Sequence, residues 1–272
     1  VLGQMSEAGC FSDCVRLLVD WVQRLTGCEA VMLRLHEDDV DADGWLPALV
    51  QRGFGCDFLR DEILIGAGEC LCGQVCSGRR EPRPSFFTEQ GSFACDCTDD
   101  LLDGPALEAV EHLRGRCLVD GYRSLAIIPL PADGAPIGCL HVADRRPDRF
   151  APWLSLLEEA CRQAGPLLAR YPASQREPLL IEALEAALTP PDLPEVPGLE
   201  LSVCFTSATD AAHLGGDFYD AIALPGGDVV LLVGDCSGKG IGAAGMAARA
   251  RYELARRIAE FAASNQKWMV AV

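Results

Sequence analysis

The sequence predicts an α+β protein in which an antiparallel sheet is flanked by helices and followed by a smaller, incomplete α/β sandwich. Three observations carry this reading. Between Phe11 and Thr26 the apolar residues Val15, Leu17, Leu18, Trp21, Val22 and Leu25 recur at helical spacing. Two apolar runs, Ser124 to Leu130 and Pro136 to Ala143, meet across Asp133-Gly134, a hairpin signal. Pro152 to Arg170 then returns to helical periodicity, so helices bracket the strands instead of alternating with them.

The remaining elements follow in order. Gly27 stops the first helix, Ala30 to Leu35 alternates as a strand, and Trp45 to Val50 is its partner across the acidic loop His36 to Gly44. The turn Gly66-Ala67-Gly68 leads into a short helix over Cys70 to Ser77. Phe86 to Thr98 reads as loop and Leu101 to Arg116 as helix. In the closing helix Trp153, Leu154, Leu156, Leu157, Cys161, Ala164 and Leu167 face inward, and Gly165-Pro166 is expected to kink it. Tyr171 to Pro197 is a connector. Its helix, Gln175 to Leu188, carries an exposed-looking stripe of Leu179, Leu180, Ile181, Leu184 and Leu188, ended by Pro190, Pro191, Pro194 and Pro197. A stripe of that kind suits a dimer seam or a lid. Strands over Leu199 to Phe205, Phe218 to Ala223 and Val229 to Val233 come next, then a glycine turn and a helix from Ile241 to about Ala262. The expected divisions are 1–172, 173–197 and 198–272.

Composition narrows the function. The chain has 272 residues, 49% hydrophobic and 23% charged, the balance of a globular protein long enough for two domains. Lys plus Arg is 23 against 40 Asp plus Glu, a formal charge of −17, which argues against nucleic acid or an anionic membrane as partner. No apolar stretch approaches the ~20 residues that span a bilayer, and no basic-then-apolar leader opens the sequence. A cytoplasmic protein is expected, with its 14 cysteines reduced by default.

Two motifs fail on inspection. Asp39 to Gly44 reads DVDADG, like the start of a calcium loop, but Val50 stands where a bidentate Glu belongs and Pro47 interrupts it. A solvated acidic loop is the better reading. Gly234 to Gly240, GDCSGKG, is no phosphate-cradling loop, because Val233 occupies the first glycine position.

Leu214 to Asp220 (LGGDFYD) and Val233 to Gly240 (VGDCSGKG) each set an aspartate, Asp217 or Asp235, at the end of an apolar strand. Carboxylates on adjacent strand ends repel, and a hard divalent cation is the natural compensation. Two such ions clamping a water would make it a nucleophile; two solvated turn aspartates are the alternative. The segments Ala187 to Ser202 and His213 to Arg251 resemble the opening of the bacterial PPM-type, SpoIIE-like serine phosphatases. The resemblance implies a Mn²⁺- or Mg²⁺-dependent phosphatase acting on phosphoserine or phosphothreonine of a small regulatory protein, usually an anti-sigma-factor antagonist. It implies Asp217 and Asp235 as the first and second metal-binding aspartates and Cys236 as donor of a backbone carbonyl. The family pattern continues with further acidic ligands, whereas here no Asp follows Asp235, only Glu253 and Glu260. A truncated phosphatase segment, inactive by itself, is therefore expected, and the start at Val1 reads the same way.

Gly68 to Gly78 (GECLCGQVCSG), Pro84 to Phe93 and Gly121 to Phe150 resemble a GAF domain, a sensory module, over about residues 11 to 170. Cys56, Cys70, Cys72, Cys76, Cys95, Cys97 and Cys117 fall within it. Cys72 and Cys76 are four apart and share a helical face; Cys95 and Cys97 flank one residue and can point the same way. Thiolates so gathered suit an iron–sulfur cluster or zinc, although CxxC is absent. A redox disulfide and inert buried thiols are the alternatives. His36, His112, His141 and His213 stand isolated and read as structural residues rather than haem ligands. The expected whole is a homodimeric protein whose sensory domain controls a phosphatase; the alternative is a cysteine-based sensor without catalysis.

Overall fold

The chain forms α1 (Leu2–Glu7), α2 (Phe11–Thr26), β1 (Ala30–Leu35), β2 (Trp45–Arg52), α3 (Cys56–Glu62), β3 (Leu64–Gly66), α4 (Cys70–Cys76), β4 (Phe93–Cys95) and α5 (Asp99–Leu102). It continues with α6 (Arg116–Val119), β5 (Ser124–Ala132), β6 (Ala135–Asp144), α7 (Leu154–Ala169), α8 (Ala173–Leu188), β7 (Asp217–Ala223), β8 (Val229–Asp235) and α9 (Ile241–Ala263). This is a computed structural model, and it describes residues 1–37, 44–78, 86–102, 114–188, 193–204, 215–225, 227–238 and 240–263. The chain divides into two units, Val1–Ala183 and Leu184–Val272, so the boundary falls within α8.

The first unit is built on a six-stranded antiparallel sheet of order β3-β2-β1-β6-β5-β4. The Asp133-Gly134 turn joins β5 to β6 as the sequence predicts, and β6 pairs with β1 on its other edge. Both faces of these central strands are buried. Alternation sends Leu33, Leu140 and Val142 to the face covered by α2 and α7, and Met32, Arg34, Cys139 and His141 to the face carrying α3, α4 and α6.

Arg34 is fully buried on that second face. Its guanidinium donates to the carbonyl oxygens of Leu46 at 2.8 Å and Ile63 at 3.4 Å, and to that of Glu62. It thereby ties β2 and the end of α3 to the central strand. The Glu62 carboxylate lies 4.0 Å from Arg34 and 3.2 Å from Arg114.

The second unit is smaller. β7 and β8 form a two-stranded antiparallel ribbon with α9 laid on one face. Ala243, Ala244, Ala247 and Ala248 are buried on α9, small side chains that let the helix approach closely. Phe218 and Asp220 point toward it, and Arg251 donates to the Asp220 carboxylate at 3.0 Å.

The helix α7 continues past Gly165-Pro166 to Ala169, and Gly165 serves packing: a Cβ there would stand 2.0 Å from the Pro131 carbonyl oxygen. Several expectations need correction. Of the strand expected over Leu199 to Phe205, Leu199 to Cys204 forms none, Leu199 making only a local bridge with Val196, and Phe205 lies outside the described residues. The stripe on α8 is not exposed, since Leu179, Leu180 and Leu184 are buried within the single chain. The stretch read as loop contains β4, and α1, α3 and β3 were not foreseen. The acidic loop at 38–43 and most of the helix expected over Leu101 to Arg116 lie outside the described residues.

Replacing Gly165 by Ala forces a methyl group into the Pro131 carbonyl and separates α7 from β5. The variant is expected to lose about 1–3 kcal/mol of stability, read as a lower urea midpoint with an unchanged slope.

Candidate functional site

Two groups of reactive side chains stand out, one in each unit. In the second unit the ribbon register pairs Asp217 directly with Asp235. The Cys236 amide donates to the Gly216 carbonyl at 2.9 Å, so the hydrogen-bonded pair is Gly216 with Cys236. Asp217 and Asp235 are therefore a non-hydrogen-bonded pair, the kind whose Cα atoms lie about 4.5 Å apart and whose side chains come closest. Both aspartates are exposed. They share the face turned away from α9 with Tyr219 and Val233.

That outer face is apolar below the carboxylates. Val233 is 88% and Leu231 60% exposed. With Leu201, Val203 and Asp217 they line a groove of about 440 Å³.

Two carboxylates are a thin ligand set. Among the described residues no group of three or more His, Cys, Asp or Glu side chains is placed to hold a metal ion. The pair nonetheless fits Mg²⁺ or Mn²⁺ of the kind that keeps most of its waters and is held by one or two carboxylates plus a substrate phosphate. The Cys236 carbonyl oxygen lies against Gly216, where a Cβ would approach it to 1.8 Å. No side chain fits there, which explains the glycine just before Asp217.

In the first unit the thiols gather between α4 and β6. The Cys72 sulfur lies 3.9 Å from Nδ1 of His141, and the Cys117 sulfur 3.9 Å from Nε2 of the same ring. Cys139, two residues before His141 and on the same face of β6, interacts with both Cys72 and Cys76. The helical spacing of Cys72 and Cys76 thus presents two thiols to one strand cysteine. Cys70 opens α4 with a left-handed backbone, φ 59°, uncommon for a residue with a side chain.

The surroundings raise the thiols of Cys70, Cys72, Cys117 and Cys139. Burial pushes Cys70 up to about 12, with the nearby Glu62 charge adding to it. Cys72 is raised by its interaction with Cys139 and by burial, while His141 acts in the opposite direction. Enclosure likewise raises Cys117 and, with Cys70 and Glu62 beside it, keeps it up. Glu62 is itself raised by burial, against the pull of Arg114 and Arg34.

The six cysteines selected from the sequence therefore do not form one group. Cys70, Cys72, Cys76 and Cys117 come together, whereas Cys95 and Cys97 sit at the end of edge strand β4. There Cys95 donates to the Cys97 carbonyl at 3.1 Å, and the Cys97 sulfur accepts from Arg123 at 3.4 Å and donates to Asp99 at 3.6 Å. The Cys56 side chain, His112 and His213 lie outside the described residues. Among the described residues these donors do not form a group of three or more placed to hold a metal ion.

Two participants escaped the sequence reading. His141, read as isolated, stands between two thiols, and Cys139 was not singled out. Their signal was present: Cys139-Leu140-His141 on a predicted strand places both functional side chains on one face.

No protein-family model matches the chain. Similar solved structures include the GAF domain of an Acinetobacter phosphoenolpyruvate-protein phosphotransferase, at 17% identity and TM-score 0.44, covering 62% of this chain and 87% of that one. A GAF domain region of a putative membrane protein from Geobacter sulfurreducens matches at 19% identity and TM-score 0.41, covering 57% and 90%. The type II free methionine-R-sulfoxide reductase of Thermoplasma acidophilum matches at 14% identity and TM-score 0.42, covering 63% and 97%.

Proposed function

We propose that the chain joins a GAF-like sensory unit to part of a metal-dependent, SpoIIE-like serine/threonine phosphatase, acting on a phosphorylated regulatory protein such as an anti-sigma-factor antagonist. The observation that supports this most is the pairing of Asp217 with Asp235 as closest cross-strand neighbours on one face. Like charges placed directly opposite each other cost roughly 0.2–1 kcal/mol. A sequence that keeps both on an exposed face gains from them only when something positive lies between.

Mn²⁺ or Mg²⁺ bound there would supply the positive charge that neutralises the pair and a phosphoryl group brought to it. The protein residues do the rest. Asp217 and Asp235 fix the position of the charge, and the Gly216–Cys236 hydrogen bond holds the two strand ends in register. On the opposite face the Arg251–Asp220 ion pair and Phe218 anchor the ribbon to α9, so the carboxylates project from a braced support.

Asp235→Asn is expected to move two quantities in opposite directions. Without metal the ribbon gains about 0.5 kcal/mol as the repulsion disappears, seen as a higher unfolding temperature. Mn²⁺ affinity, measured from the paramagnetic signal of free Mn²⁺, falls roughly tenfold or more. Equal Mn²⁺ binding by the variant and the unaltered chain overturns the metal assignment. Where this segment stands in a full phosphatase domain, the same substitution stops phosphate release from a phosphoserine peptide, and undiminished turnover overturns the phosphatase reading.

Gly216→Ala tests the support while leaving both carboxylates unaltered. Its methyl group meets the Cys236 carbonyl and parts the strand ends, so Mn²⁺ affinity falls although both carboxylates remain. A destabilisation of about 1–3 kcal/mol accompanies it, read by chemical denaturation.

A further inference from the structure

We infer that Cys72 is a hydroperoxide-reactive thiol, with His141 as its proton acceptor and Cys139 as the thiol that resolves it into a disulfide. The inference concerns the first unit and does not rest on the phosphatase reading.

Geometry sets Cys72 and Cys117 apart from the other cysteines, and of the two Cys72 lies on α4, the helix packed on the strand that carries Cys139. A nucleophilic thiol needs a base within reach and a third group that orients the base. The Cys72 sulfur stands 3.9 Å from Nδ1 of His141, and Cys117 holds the opposite nitrogen at the same distance. In the tautomer with hydrogen on Nε2, Nδ1 accepts from Cys72 while Nε2 donates to the Cys117 sulfur. The imidazole is also packed against Phe54, with ring centroids 5.6 Å apart, which fixes its orientation. Cys139 supplies the second thiol: it stands two residues from His141 on the same face of β6, the strand on which α4 packs.

As residues, Cys72 is 5% exposed and Cys139 fully buried, so Cys72 is the nearer of the two to solvent. The groups facing the pair are Cys70 and Cys76 on α4, Glu62 at the end of α3, Cys117 on α6 and Arg34 on β1. The surroundings raise the resting Cys72 thiol, so proton transfer to His141 must accompany attack.

The Cys72 thiol passes its proton to Nδ1 as the sulfur electron pair attacks one peroxide oxygen. The O–O bond breaks, and the departing oxygen takes the proton from the imidazolium, leaving as an alcohol or as water. Cys72 is now a sulfenic acid. The Cys139 thiol attacks its sulfur, the S–O bond breaks, and water departs with the proton of Cys139. One hydroperoxide is reduced by two electrons, two thiols are oxidised, and a disulfide joins α4 to β6.

The test treats the reduced chain with limiting hydrogen peroxide, blocks remaining thiols after denaturation, and maps the peptides by mass spectrometry. A Cys72–Cys139 cross-link that forms ahead of modification at exposed Cys204 is expected. In Cys139→Ser the sulfenic acid on Cys72 persists and is trapped by dimedone. His141→Gln, with unchanged circular dichroism, slows Cys72 oxidation about a hundredfold. Oxidation confined to Cys204 or Cys97 with Cys72 still reduced overturns the inference, as does a cross-link of Cys139 to Cys76, or a rate unaffected by His141→Gln. The unaltered chain alone decides the first two outcomes, so a variant that fails to fold leaves the test intact. Mn²⁺ binding at Asp217 and Asp235 is read separately, so failure here is distinguishable from failure of the phosphatase reading.

Discussion

Antiparallel register is the constraint on which both sites depend. Strand β6 is paired along both edges, to β1 and to β5, and each residue on it is assigned to one of two buried faces. Leu140 and Val142 join the helical layer of α2 and α7, while Cys139 and His141 meet α4. A slip of one residue would exchange these sets and bury leucine where the imidazole now meets two thiols. The same rule operates in the ribbon of the second unit. There the pairing of Phe218 with Gly234 and of Asp220 with Leu232 fills the α9 face. Asp217 and Asp235 must then lie on the outer one.

Charge is handled differently at the two carboxylate settings, and the contrast gives the exposed pair its meaning. Glu62 and Asp220 are buried, and each has an arginine within 4.0 Å: Arg34 and Arg114 for Glu62, Arg251 for Asp220. An unpaired charge in such a setting costs several kcal/mol, so the protein supplies a cation from its own chain. Asp217 and Asp235 sit on the surface, where water lowers their mutual repulsion enough for the fold to hold both.

Much of this was legible before any coordinates. Periodicity located α2, α7 and α9 and the β5–β6 hairpin, because long amphipathic segments and an Asp-Gly turn have a physical signature within their own few residues. The Asp217–Asp235 juxtaposition was legible for the same reason, each residue ending a short apolar strand beside glycines. What escaped depends on distant partners. Leu199 to Cys204 has the composition of a strand, but a strand exists only where a ladder partner lies alongside, and Leu199 makes only a local bridge with Val196. β4 is three residues long and exists through β5. The thiol group was half legible: helical spacing joined Cys72 to Cys76, but His141 lies 69 residues from Cys72 and only the sheet brings them together.

The thiol cluster also resolves an apparent conflict between burial and reactivity. A cysteine sealed in apolar surroundings is inert because its thiolate is too costly to form, and every thiol around His141 for which a shift is resolved is pushed upward. An isolated buried thiol would stop there. Cys72, like Cys117, has a ring nitrogen of His141 at hand, so a proton can move across a hydrogen bond without net charge entering the interior. The ion pair that forms is transient and lies between adjacent atoms, where a low dielectric strengthens attraction as much as it penalises separated charge. Cys70 and Cys161 are buried as well, but their surroundings offer negative carboxylates, Glu62 and Glu158, in place of a ring nitrogen. Burial thus selects among the cysteines, silencing those without a base and leaving the two that flank His141 with a route for a proton.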